Sequence, residues 1–164
     1  MSIFHGGSYK TCRELTTNPT LDCHHLISRA ALLRWYDAMK PNRYNRFLSY
    51  ESQNWAPAIV MTHSDHMHTL SYCGSDLPSS AQILAARDYI DDQAERLIQF
   101  GDIVGVLTDE AYAIKDLFGS KYKSALREMW AYFYSLNPRI TGIVLTFTNP
   151  NIRNFTFHYD FSFE

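Results

Sequence analysis

Between Ser79 and Pro138 apolar residues return every three or four positions in three consecutive blocks. Ile83, Ala86, Ile90, Ala94 and Leu97 make the first stripe, ended by Gly101. The second runs roughly from Ile103 to Phe118, with Gly119 behind it. The third starts near Ser120, sets Tyr122, Leu126, Met129, Trp130 and Phe133 inward, and breaks at Pro138. That period predicts amphipathic helices that each bury one face, the first capped by Ser79 or Ser80 and the first two closed by glycine. The stripes read as core and imply no cofactor. The flanks keep other periods. Ala56 to Met61 is a short apolar run and predicts a strand. In the tail, Ile143, Leu145 and Phe147 alternate. After Asn149-Pro150-Asn151, so do Phe155, Phe157, Tyr159, Phe161 and Phe163, the pattern of a hairpin with one aromatic face. Helices flanked by extended pieces, in 164 residues, predict a single α+β domain.

The first half is less regular. Residues 1–20, with Gly6-Gly7 and Asn18-Pro19, read as an irregular lead-in in which His5 is incidental. Ser28 can cap a helix whose inner positions are Ala31, Leu32, Trp35, Tyr36 and Met39 and which stops before Pro41. Asn42 to Asn54 reads as a loop with room for one helical turn. Thr62 followed by Asp65 resembles a capping box, so a helix is expected from His63 onward, carrying His66, with Gly74 to Ser80 as the turn that closes this unit.

Chemistry concentrates in Leu21-Asp22-Cys23-His24-His25-Leu26-Ile27. On an extended segment His24 and His25 point to opposite sides. One imidazole is then free to ligate a metal while the other faces water or a scissile bond. A second histidine group follows at His63, His66 and His68. Three residues apart on a helix share a face, whereas two apart diverge by about 200°. His63 and His66 can therefore share a metal, and His66 and His68 cannot. Cys12, Cys23 and Cys73 are odd in number, contain no Cys-x-x-Cys, and form no disulfide framework. Net charge is −2, which argues against indiscriminate nucleic-acid binding through bulk charge. The charge is nonetheless unevenly spread. Arg29, Arg34, Lys40, Arg43 and Arg46 face only Asp37, while the stretch from Asp76 to Asp116 is acidic. No run approaches the ~18 apolar residues of a membrane span, and a signal-peptide core is not seen at the N-terminus.

Extended histidine pair, spacer, apolar strand, then a capped helix bearing a histidine: this order resembles the HNH (ββα-metal) nuclease unit. It is more similar still to the toxin domains at the C-termini of bacterial polymorphic toxins. The matching segments are Asp22 to Ile27, Ala56 to Met61 running into Asp65-His66-Met67-His68-Thr69, and Ala113 to Tyr122 followed by the helix through Met129. The resemblance covers roughly residues 20 to 135. It implies a small ββα-metal-like (HNH) core at residues 21–75, several packed α-helices at 79–137, and a C-terminal β-hairpin at 140–164 beyond the matched part. His24 and His66 would be metal ligands, with the third between His63 and Asp65, and His25 would be the general base that activates water. Asp22 would orient an imidazole or bind metal itself. Arg29 and Arg34 are candidates for phosphate contacts. The implied cofactor is one divalent ion (Mg2+, Mn2+, Zn2+ or Ni2+). The implied substrate is DNA more than RNA, the implied partner a cognate immunity protein, and the setting that of a secreted or delivered bacterial effector acting in the target-cell cytoplasm. The motif's asparagine is missing, and Ser28-Arg29 stands where proline often follows the pair.

A reading from another class is a non-enzymatic interaction module whose histidines hold structural zinc. A zinc nucleobase deaminase is excluded, because His-x-Glu and Cys-x-x-Cys are both lacking.

Overall fold

A computed structural model describes residues 3–39 and 52–135. In chain order these form β1 (Gly6–Ser8), α1 (Tyr9–Leu15), β2 (Leu21–His25), α2 (Arg29–Met39), α3 (Ser52–Trp55), β3 (Pro57–Thr62), α4 (His63–His66), α5 (Ser80–Phe100), α6 (Ile103–Phe118) and α7 (Lys123–Ser135). The three strands make one antiparallel sheet in the order β1-β3-β2. The chain is thus a mixed α+β fold. The hairpin expected at 140–164, the break at Pro138, most of the loop from Asn42, and Lys40, Arg43 and Arg46 lie outside the described residues.

β3 is apolar on both sides because both faces of the sheet are covered. Ile59 and Met61 belong to the main core, built with residues of α2, α5, α6 and α7. Ala58 and Val60 point the other way, into a smaller cluster with Cys12 of α1. The pairing Asp22↔Met61 and His24↔Ile59 places Asp22 and His24 on the main-core face. Cys23↔Val60 and His25↔Ala58 place Cys23 and His25 on the face that α1 covers.

Local signals set the helices. Ser28 Oγ accepts from Ala31 N–H at the start of α2, and Ser79 Oγ accepts from Gln82 N–H at the start of α5. Gly101 ends α5 in the left-handed region, φ 58°, where a Cβ would be penalised. Among the described residues no helix is long and apolar enough to cross a membrane.

The lead-in departs from expectation, since it contains β1 and α1. Gly6-Gly7 is a strand here because α7 packs directly on its backbone. A Cβ on Gly6 would sit 1.9 Å from the Ala125 carbonyl oxygen and 2.7 Å from the Met129 nitrogen, and Gly6 N–H donates to Glu128 Oε2. Both obstructions are helix backbone, which no rotamer change relieves. Gly6→Ala is therefore expected to destabilise by about 3 kcal/mol or more, whereas Gly7→Ala, with nothing within 4 Å of the new methyl, is expected to be tolerated. Urea denaturation of the two variants measures the contrast; equal stability would remove the close approach as the reason for glycine.

Candidate functional site

The end of β3 and the middle of β2 bring four chemistry-bearing side chains together. Thr62 caps α4, its hydroxyl accepting from Asp65 N–H at 3.1 Å. Asp65 does not complete the box. Instead the Tyr122 hydroxyl takes Thr62 N–H at 3.1 Å and donates to Asp65 Oδ2 at 2.6 Å, where Lys121 Nζ also binds. This ties the single turn of α4 to the start of α7 and fixes where His63 and His66 point. Both imidazoles donate through Nδ1–H to the same oxygen, Asp22 Oδ2, at 2.6 Å from His63 and 2.8 Å from His66. The three-residue spacing did put them on one face. His68, two residues further on, bonds the Ser64 carbonyl and stays outside.

One carboxylate therefore serves two histidines in different surroundings. Burial raises the Asp22 carboxyl, but the hydrogen bonds and charge of His66 and His63 outweigh it and hold its pKa below the ordinary value. His66 is 20% exposed. Burial, with repulsion from His24 added, outweighs the Asp22 bond and brings its pKa down to about 4. His63 is 46% exposed, and there the bond to Asp22 and its attraction prevail, so its pKa rises. Its Nε2 lies 3.5 Å from Asp76 Oδ2, and Asp76 in turn accepts from the Tyr72 hydroxyl at 2.6 Å. Environment thus separates two like groups, one kept neutral and one proton-accepting, the pattern by which acid and base roles are divided in active sites.

His24 sits beside this pair, its ring 5.1 Å from that of His66, edge to face. Its Nε2–H donates to Glu110 Oε1 at 2.8 Å, and both side chains are almost wholly buried. The Tyr89 hydroxyl donates to the other oxygen, Oε2, at 2.5 Å. A carboxylate that only accepts leaves the Nδ1 lone pair of a neutral His24 for another partner, the tautomer control typical of ligating histidines. Sequence reading missed Glu110 and Tyr89. It also missed Gln93, which accepts from Ser28 N–H and donates to the Leu26 carbonyl, clamping α5 to the end of the histidine segment.

The other expected site residues lie elsewhere. His25 does point away from His24, as alternation requires, and lands under α1. There it stacks on Tyr9 with centroids 3.7 Å apart and donates through Nε2–H to the Gln53 carbonyl. Burial, partly opposed by that bond, takes its pKa down to about 4. Arg29 is exposed at the start of α2, and Arg34, also exposed, is paired with Asp91 of α5. The structure does not bring these three to the Asp22 cluster. His5 contributes its carbonyl to Val60 N–H of the sheet and lies 3.5 Å from Glu128.

One carboxylate and neutral imidazoles are the donor set that first-row divalent ions prefer, so the chemistry of Asp22, His24 and His66 fits such an ion. Among the described residues no three His, Cys, Asp or Glu side chains converge as a preformed cage; the donors here bond to one another. No family model matches this chain, and no curated protein or solved structure does either.

The two depressed histidines make stability depend on pH. The ordinary value is 6.5, and in the folded chain His25 and His66 bind protons only near 4. Unfolding therefore takes up protons between those limits. Their contribution is complete above pH 6.5 and is lost as pH falls through 4, on the order of 3 kcal/mol for each. His63 acts in the opposite sense: its contribution is present below 6.5 and fades as pH rises through its folded value. Urea midpoints of the chelated protein at pH 7, 5.5 and 4.5 should fall steadily, and His25→Phe should flatten the slope by about half. A midpoint constant across that range would rule out the buried, neutral imidazoles.

Proposed function

We propose that this chain is a metal-dependent nuclease that hydrolyses phosphodiester bonds of DNA more than RNA, a bacterial toxin domain delivered into a target cell and neutralised by an immunity protein. The observation that carries the hydrolytic part is the single Asp22 oxygen shared by a neutral, half-buried His66 and an exposed His63 of raised basicity. The toxin setting rests on the resemblance of the Asp22–Ile27 and Ala56–Thr69 segments. A ββα-metal core agrees with an antiparallel strand pair whose second member runs directly into a turn of helix bearing both histidines.

In this reading Asp22, His24 and His66 hold the divalent ion, which when bound neutralises charge on the phosphate and the leaving oxygen. The remaining work falls to the chain. Asp22 holds the His63 ring by Nδ1–H and leaves Nε2 to take a proton from water. Asp76, 3.5 Å from that nitrogen, favours the protonated ring that results. Glu110 keeps His24 in one orientation. His25, stacked on Tyr9 behind the sheet, anchors α1 and takes no proton, so the base is His63.

The test is incubation of the purified protein with plasmid and with RNA in Mg2+, Mn2+, Zn2+ or Ni2+, with and without chelator. Cleavage that needs metal and disappears in Asp22→Ala is expected. A chain that cuts neither polymer in any metal, yet melts on chelation, would be a structural-zinc interaction module instead.

A further inference from the structure

Next to the histidine cluster is a cavity of about 190 Å³ between the segment after α4 and the first turns of α5. Buried Ala86 forms part of its floor, half-buried Met67, Tyr72 and Leu77 its walls, and exposed His68 and Gln82 its rim. Tyr72 is common to the cavity and the cluster: its ring meets that of His66 edge to face with centroids 4.9 Å apart. Its hydroxyl is held by Asp76, so the ring is anchored at both ends of the contact. We infer that this cavity receives the nucleobase flanking the scissile phosphate, and that the substrate is therefore a single-stranded or unstacked segment of nucleic acid. The inference deepens, and rests on, the hydrolase reading above.

Three features support that occupant. At about 190 Å³ the space is well under the roughly 300 Å³ at which sites for drug-sized ligands begin. One planar heterocycle fits it. Aromatic and thioether walls suit a base face, since every base can stack on an aromatic ring whatever its identity. The rim supplies both hydrogen-bonding senses. Gln82 can donate and accept, and His68, with Nδ1–H given to the Ser64 carbonyl, keeps an Nε2 lone pair as an acceptor. A base inside a duplex cannot reach such a pocket without leaving the stack, whereas one on a single strand is a sugar's length from its own phosphate.

Two measurements test this on the full chain. In the first, methyl-labelled protein is titrated with thymidine and adenosine, neither of which carries phosphate. Saturable shifts of the Met67 and Ala86 methyl signals are expected, and their loss in Tyr72→Leu. In the second, kcat/KM is measured for thymidylyl-thymidine and for its two analogues that each lack one base. One analogue should be about tenfold poorer, the loss expected for one stacked base, and Tyr72→Leu should erase that difference. Equal kcat/KM for all three overturns the inference and leaves the hydrolase reading standing. If none is cleaved, the methyl titration alone decides whether the cavity takes a base: no saturable shift removes it.

Discussion

Replacing Glu110 by alanine is expected to lower the free energy of unfolding by about 2–6 kcal/mol, the cost of leaving two buried hydrogen-bond donors without acceptors. Its side chain is 1% exposed and its two oxygens satisfy His24 Nε2–H and the Tyr89 hydroxyl. Alanine leaves both donors buried without acceptors, each costing about 1–3 kcal/mol, and opens a void beside Leu107 and Ile114 in the same helix face. A domain of ordinary stability has about 5–15 kcal/mol in hand, so this variant should be marginal. Glu110→Gln distinguishes lost shape from lost bonding. Its carbonyl can accept from His24 while its amide donates to a rotated Tyr89 hydroxyl, and stability within about 1 kcal/mol of the parent is expected. A double-mutant cycle with Tyr89→Phe should show coupling above about 0.5 kcal/mol. Urea denaturation with additive effects, or with an alanine variant as stable as the parent, would mean that the trio does not hold α6 to the sheet.

The importance of Glu110 also shows what local pattern conveys and what it hides. The three late helices were legible from their period, and in the first of them the serine cap and the closing left-handed Gly101 agree with it. β3 was legible as an apolar run because both sides of that strand are covered. β1 was not: Gly6-Gly7 reads as part of an irregular lead-in until α7, over a hundred residues later, lays its backbone against it. At the site, the spacing of His63 and His66 was enough to put them on one face, but the acid they share comes from β2. Glu110 was hidden in the acidic stretch from Asp76 to Asp116. The available signal was its register: Val106, Leu107, Ala111 and Ile114 are buried around it, and a carboxylate inside an apolar stripe demands a buried partner. For His25, alternation told which side it takes, but not that α1, read as irregular, would cover that side.

The roles of the histidines can be separated by a pair of substitutions with opposite expectations. His63→Ala should reduce kcat for phosphodiester cleavage by about 10²–10⁴-fold, the span of a lost general base. It should do so with little change in stability, because the side chain is nearly half exposed. Added imidazole should restore part of the rate, which a merely structural defect would not allow. His25→Phe should behave in reverse. Phenylalanine keeps the stack on Tyr9 but gives up the bond to the Gln53 carbonyl, at about 1 kcal/mol, while the rate per folded molecule stays near that of the parent. The reason is geometric: the sheet stands between His25 and the Asp22 oxygen, and a proton acceptor must lie within hydrogen-bond reach of the water it activates. Loss of cleavage in folded His25→Phe, with His63→Ala unimpaired, would return the base to the histidine doublet and require the α1 face to open onto substrate.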